Sequence, residues 1–178
     1  MKDLLYQSIW LMIPAAVANA SPVLFRWIPF LNIPIDGNRK WRGRAILGKH
    51  KTYRGFFIGV GMAIVVAYIQ RYFFGSMQTY SLFDYTKVNM AIVGFLLGFG
   101  ALSGDALKSF LKRRVGIDPG KPWPPFDQID WIIGALACMS LYRTFSFSFW
   151  IVSIVFFGLV HVVADYIAYL IHIKESKY

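Results

Sequence analysis

Between residues 103 and 130 the chain reads SGDALKSFLKRRVGIDPGKPWPPFDQID, flanked on both sides by long apolar runs almost without charge. The stretch holds four of the nine acidic residues (Asp105, Asp118, Asp127, Asp130) and the cations Lys108, Lys112, Arg113, Arg114 and Lys121. Ionic side chains set among membrane-like segments are costly and mark a functional site by default. The pattern restricts the chain to folds that enclose a polar space and turn apolar surface outward.

Composition points the same way. Hydrophobic residues are 57% of the 178 and charged residues only 16%, less than a soluble domain carries. Apolar runs of about 18 residues or more are transmembrane candidates. Five are read here, at about 4–27, 53–74, 88–114, 127–145 and 146–172, with loops at 28–52 and 115–126 and a short polar link at 75–87. The expected fold is an all-α integral membrane protein, residues 1–178 forming one transmembrane domain of five helices. The N-terminus, with Lys2 followed at once by Asp3 and an apolar run holding Pro14 and Asn19, reads as a first span rather than a cleavable signal. Pro14, Asn19, Ser21 and Pro22 predict that this span is broken. Cys138 is the single cysteine, which excludes disulfide frameworks and cysteine-based zinc sites.

Of nineteen Lys and Arg, only Lys2, Arg71, Lys87 and Arg143 fall on one side of these spans. The positive-inside rule then places the N-terminus outside, and the C-terminus and loops 28–52 and 115–126 in the cytoplasm. The expected location is the cell membrane, multi-pass, with the site facing the cytoplasm. The net charge of +10 faces anionic membrane lipids, and no nucleic-acid partner is expected. Counting residues from the outer ends puts Asn19, Asp105, Asp130 and His161 roughly 22–26 Å deep in a hydrocarbon core of about 30 Å. Four polar groups at one depth read as the floor of a cavity open to the cytosol.

Asp105, Lys108, Ser109 and Lys112 are spaced i, i+3, i+4, i+7 and share one helix face. A deep carboxylate with ammonium groups above it suits Mg²⁺ and phosphate oxygens. An ion-pair ladder, with Lys112, Arg113 and Arg114 as a membrane anchor, explains the cations but not the deep Asp105. Asp127 and Asp130 open the fourth span; capping accounts for one of them, and with Asp105 the two suit a metal cluster for in-line displacement. Lys49, Lys51 and Arg54 beside a helix start, with Thr52 as N-cap, suit either bound phosphate or lipid headgroups. His161 and Asp165, with His172 further along, read as interhelical hydrogen bonding more readily than catalysis. Asn19 either satisfies broken backbone or lines the pocket. Gly55, Gly59, Gly94, Gly98 and Gly100 read as close helix packing or as a homodimer contact.

Ser109-Phe-Leu-Lys112-Arg113, then Asp118, then Asp127-Gln-Ile-Asp130 resembles the signature of the membrane CDP-lipid synthases, the phosphatidate cytidylyltransferases. The wider pattern runs from Asn19–Pro22 through Pro34-Ile-Asp36, Trp41, Ile46–Gly48, Lys51–Gly55 and Gly104-Asp105 to Lys121-Pro-Trp-Pro-Pro-Phe. It covers nearly the whole chain and is similar to the archaeal, CDP-archaeol-forming branch. Trp123-Pro-Pro stands where His-Gly-Gly is usual and Gln128 where an Arg is usual, and the segment from Arg113 to Asp118 is one residue shorter. These departures favour an ether-lipid substrate over phosphatidic acid. The resemblance implies Mg²⁺-dependent transfer of a cytidylyl group from CTP to 2,3-bis-O-geranylgeranyl-glycerol 1-phosphate. It implies Asp105, Asp127 and Asp130 on metal, assisted by Asp118. Lys108, Ser109, Lys112, Arg113 and Lys121 would face the triphosphate, and Lys51 and Arg54 a lipid or outer phosphate. The competing readings are a CTP-dependent polyprenol kinase and a small membrane transporter. A transporter is disfavoured by the apolar outer halves of spans three to five and the lack of paired broken helices.

Overall fold

Pro14 and Pro22 do not break the first helix. In the computed structural model, which describes residues 2–170, α1 runs uninterrupted over Lys2–Leu24. His172 and the terminal cations lie outside the described residues. A proline has no N–H, so the carbonyl four residues earlier loses its helical donor. For Pro14 that carbonyl is Trp10's, and it accepts from the side-chain amide of Gln70 on α2 (Tyr53–Tyr72). For Pro22 it is Ala18's, and a Cβ on Gly59 of α2 would lie 2.8 Å from that oxygen, so glycine is needed there. The two freed carbonyls become points of contact with α2, and a helix expected to be discontinuous stays whole.

Local signals fix the other helix starts. Thr52 caps α2, its hydroxyl accepting from the Gly55 N–H at 3.2 Å. The Asn89 side chain accepts from the Ala91 N–H at 3.0 Å and starts α4 (Met90–Arg114). That helix ends on Lys112, Arg113 and Arg114, cations suited to the negative end of a helix dipole. α5 (Phe126–Met139) follows the proline-rich loop, and Ser146 accepts from Phe149 at the start of α6 (Phe147–Leu170). α4 is the hub, packing most extensively on α5, then on α2 and α1, while α6 closes against α5 and α1.

The 75–87 link is more than a polar connection. It begins with the short α3 (Phe74–Met77), and it buries Tyr85 completely, ring-stacked on Phe74 at 5.7 Å. Together with Met90, Val93, Met139 and Phe149 these rings form the apolar end of the bundle. The 28–52 loop holds a small hairpin, β1 (Lys40–Trp41) paired antiparallel with β2 (Arg44–Ala45), which an all-helical expectation omits. α2, α4 and residues 147–167 of α6 are each long and apolar enough to cross a membrane. Val65, Tyr68 and Ile69 on α2, Phe95 on α4, and Ile151, Val155 and Leu159 on α6 are exposed. Apolar surface of that extent belongs in lipid.

The glycines read as packing or dimerisation serve packing within the chain. A Cβ on Gly94 would lie 2.5 Å from the Ile64 backbone, and one on Gly98 2.6 Å from the Ala63 side chain. Gly55 meets Pro22 and Gly100 meets Gly134, so these positions are not available to a second copy.

Gln70→Leu tests the bridge between α1 and α2. Leaving the Trp10 carbonyl without a donor should cost about 1–3 kcal/mol, read as a lowered unfolding midpoint in detergent.

Candidate functional site

The site begins with an unusually close approach of two backbones. A Cβ on Gly104 of α4 would lie 2.4 Å from the Asp130 carbonyl oxygen, and one on Gly134 of α5 2.2 Å from the Gly100 carbonyl oxygen. Only hydrogen fits at these positions. This contact brings the acidic end of α5 against the Asp105–Lys112 stripe of α4.

Lys108 stands at the centre of the cluster that results. Its ammonium lies 2.8 Å from Asp127 Oδ1, 3.0 Å from Asp130 Oδ2 and 3.3 Å from Asp105 Oδ1. Lys51 pairs with the other oxygen of Asp105, and Lys112 Nζ lies 3.0 Å from both oxygens of Asp127. Asp127 also accepts from the Trp123 N–H, which ties the proline-rich loop to the first turn of α5. The expected capping role is not seen: α5 has Pro125 at its N-cap and no side-chain cap, and the N–H from which Asp127 accepts lies in the loop before the helix. The Asp130 side chain is only 6% exposed, so its charge depends on these neighbours.

The cluster lines a cavity of about 340 Å³ whose wall includes Asn19 of α1, His161 and Asp165 of α6, and Gly48, His50 and Lys51 of the loop before α2. Pro119 to Pro122 complete the lining. The loop is shaped by Asp36, whose carboxylate accepts from the N–H groups of Leu47 (2.8 Å), Gly48 (3.1 Å) and Asn38 (3.0 Å). Partial burial pushes the Asp36 carboxyl up, but these N–H donors outweigh it and hold it below the usual carboxylate range. Its support of the loop is therefore present above the unfolded pKa of about 3.9 and lost as pH falls through the lower folded value. Arg114 fastens the hairpin, donating to the carbonyls of Trp41 (2.8 Å) and Ala45 while its guanidinium lies 5.1 Å from the Trp41 ring centroid.

Asn19, Lys51, Asp105, Lys108, Ser109, Lys112, Arg113, Lys121, Asp127 and Asp130, all singled out from the sequence, line this cavity. Two expected members do not. Arg54 donates to the carbonyls of Arg26 (2.9 Å) and Ile28, fixing the end of α1 instead of facing the cavity. Asp118 is not in the lining; its carbonyl accepts from the Lys121 N–H at 3.1 Å in the loop turn. The carboxylates converge on an ammonium rather than standing as an open cage, and among the described residues no group of three His, Cys, Asp or Glu is arranged as a metal site. His161 and Asp165, read from their spacing as hydrogen bonding more readily than catalysis, line the cavity with Nε2 and Oδ2 3.8 Å apart. His50 carried no sequence signal beyond its cationic neighbours.

A membrane-embedded helical protein with an ion-paired pocket of this kind is equipped for phosphate chemistry within the bilayer. The chain matches the CarS-like CDP-archaeol synthase family over residues 1–178 and belongs to that family. It is 40% identical to the CDP-archaeol synthase of Thermococcus gammatolerans over 170 residues, covering 93% of this chain and 91% of that one. Against the CDP-archaeol synthase of Methanocaldococcus jannaschii the identity is 36% over 178 residues, covering 97% and 96%. A solved structure described as an intramembrane enzyme for archaeal membrane lipids biosynthesis superposes with a TM-score of 0.72 at 31% identity, covering 88% of this chain and 91% of that one.

Gly134→Val should separate α4 from α5. The expected cost is about 1–3 kcal/mol of stability, with activity falling further than the folded fraction does, measured on the same preparation.

Proposed function

We propose that the chain transfers the cytidylyl group of CTP to an archaeal ether-lipid phosphate, 2,3-bis-O-geranylgeranyl-glycerol 1-phosphate, giving CDP-archaeol and pyrophosphate. One observation carries this reading beyond family membership. The charged cavity shares Asn19, His50, Lys51 and Asp105 with a second, smaller hollow that is mostly apolar, walled by Pro22, Val23, Phe56 and Leu102. A water-soluble nucleotide and a lipid phosphate need that pair of environments, meeting at a cation.

In the reaction an oxygen of the lipid phosphate attacks the α-phosphorus of CTP. The new P–O bond forms as the bond to the α,β-bridging oxygen breaks, and pyrophosphate leaves with the electron pair. The attacking oxygen is already anionic near neutral pH, so no strong base is required. Catalysis then rests on positioning and charge stabilisation. Lys112, Arg113 and Lys121 neutralise the triphosphate, Ser109 donates to it, and Lys51, at the junction of the two hollows, holds the lipid phosphate. Asn19 orients substrate from α1. Asp105, Asp127 and Asp130 would hold Mg²⁺ through carboxylate oxygens, the hard donors it prefers, once the Lys108 ammonium on which they converge within 3.3 Å gives way. Bound there, the ion supplies charge neutralisation at the reacting phosphate oxygens. Arg54 and Asp118 take no part.

The same reading places the protein in the cell membrane, with α1, α2, α4, α5 and α6 as five spans, the N-terminus outside and the cavity facing the cytoplasm, where CTP is made. The support is the segregation of Lys and Arg to the cavity end. α5 has 14 residues, or about 21 Å, and is the shortest of the five.

The test is purified protein in detergent with CTP, Mg²⁺ and the unsaturated ether-lipid phosphate. Pyrophosphate and CDP-lipid should form in equal amounts; CDP with a lipid diphosphate would instead identify a kinase. Chelating the metal with EDTA should stop turnover and added Mg²⁺ restore it. Asp130→Asn should lower kcat by about 10²–10³-fold in protein that still folds.

A further inference from the structure

The Lys108 side chain is 15% exposed; its ammonium hydrogen-bonds Asp127 and is ion-paired with Asp105 and with Asp130, whose buried Oδ2 has no hydrogen-bond donor. Three carboxylates within 3.3 Å already compensate that ammonium's charge before any phosphate arrives. With Lys51 on Asp105 and Lys112 on Asp127, three negative and three positive side chains balance. A bare divalent cation entering this cluster meets a resident cation where the carboxylates converge. To bind, it must drive that ammonium into a pocket already rich in Lys and Arg, and an uncompensated buried charge is strongly unfavourable. A metal that arrives with a triphosphate faces a different balance, because the phosphate oxygens accept the displaced ammonium.

Resting on the cytidylyltransferase reading above, we infer that Lys108 is a built-in stand-in for the divalent cation. In the nucleotide-free enzyme it holds the three carboxylates together against their mutual repulsion. It yields its place to the metal only when a nucleoside triphosphate is present to take its ammonium. Metal and nucleotide therefore strengthen each other's binding, and by linkage the effect is reciprocal. Lys108 acts first as a positioning residue for the carboxylates and then as a donor to phosphate. A permanent Lys108 clamp with the metal held elsewhere gives no such coupling.

The experiment titrates Mn²⁺, a probe for oxygen-ligand sites, into the detergent-solubilised full chain and reads the free ion by electron paramagnetic resonance. No turnover is involved. Wild type should bind Mn²⁺ weakly alone, and roughly tenfold or more tightly with α,β-methylene-CTP. Lys108→Met should bind Mn²⁺ without nucleotide roughly tenfold more tightly than wild type, with little further gain from the analogue. Adding Asp130→Asn to Lys108→Met should remove that gain. Equal or weaker Mn²⁺ binding by Lys108→Met overturns the inference, and so does a gain that survives Asp130→Asn. If Lys108→Met does not fold, Lys108→Gln takes the same titration; failure of both to fold even when purified in Mn²⁺ shows that metal cannot replace the ammonium, and also overturns it. A wild type that makes no CDP-lipid sinks the functional reading separately, because the Mn²⁺ titration reads the exchange at the carboxylates directly.

Discussion

Two helices reach backbone contact only where neither presents a side chain, and the contact of Gly100 and Gly104 on α4 with Gly134 on α5 is the constraint on which the site depends. Asp105 follows Gly104 directly, and Asp130 lies one turn before Gly134. Forcing the glycines together forces the two carboxylates into one small volume. The repulsion this creates has to be met by cations from nearby, and α4 supplies Lys108 and Lys112 on the same face. Lys51 arrives from the loop before α2, so the basic loop is drawn over the cavity by the charge that the helix contact concentrates.

That loop is held from three directions. Asp36 gathers the N–H groups of Leu47 and Gly48, Arg114 grips the hairpin backbone, and Lys51 pairs with Asp105. Asp36 and Arg114 themselves do not line the cavity. The wall can therefore keep its shape while Lys51 changes partners, which a residue that meets an incoming phosphate has to do.

Much of the site was legible because it is local. The i, i+3, i+4, i+7 spacing of Asp105, Lys108, Ser109 and Lys112 can place them only on one face, and counting residues along apolar runs brought Asn19, Asp105, Asp130 and His161 to one depth. What the sequence hid is mostly backbone. The Trp10 carbonyl that Gln70 serves has no letter of its own, and glycine announces a close approach without naming its partner. The carbonyl contacts of Arg54 were not legible because a cation beside a helix start looks the same whether it serves a ligand or a carbonyl. The central position of Lys108 was hidden for another reason: spacing shows that a lysine lies near three carboxylates, but not that all three come within 3.3 Å of one ammonium. Tyr85 escaped notice because a buried aromatic in a short polar link has no periodicity to betray it.

The bond between Gln70 and the Trp10 carbonyl has a consequence for how such a chain can vary. Pro14 creates the vacancy that Gln70 fills, so the two residues make sense only together. Restoring an N–H at position 14 would hand the carbonyl back to its own helix and strand a polar amide in the bundle. Replacing Gln70 alone strands the carbonyl. Descendants of this sequence should therefore carry both or lose both, and the pair is inherited as one character although it is written in two distant places.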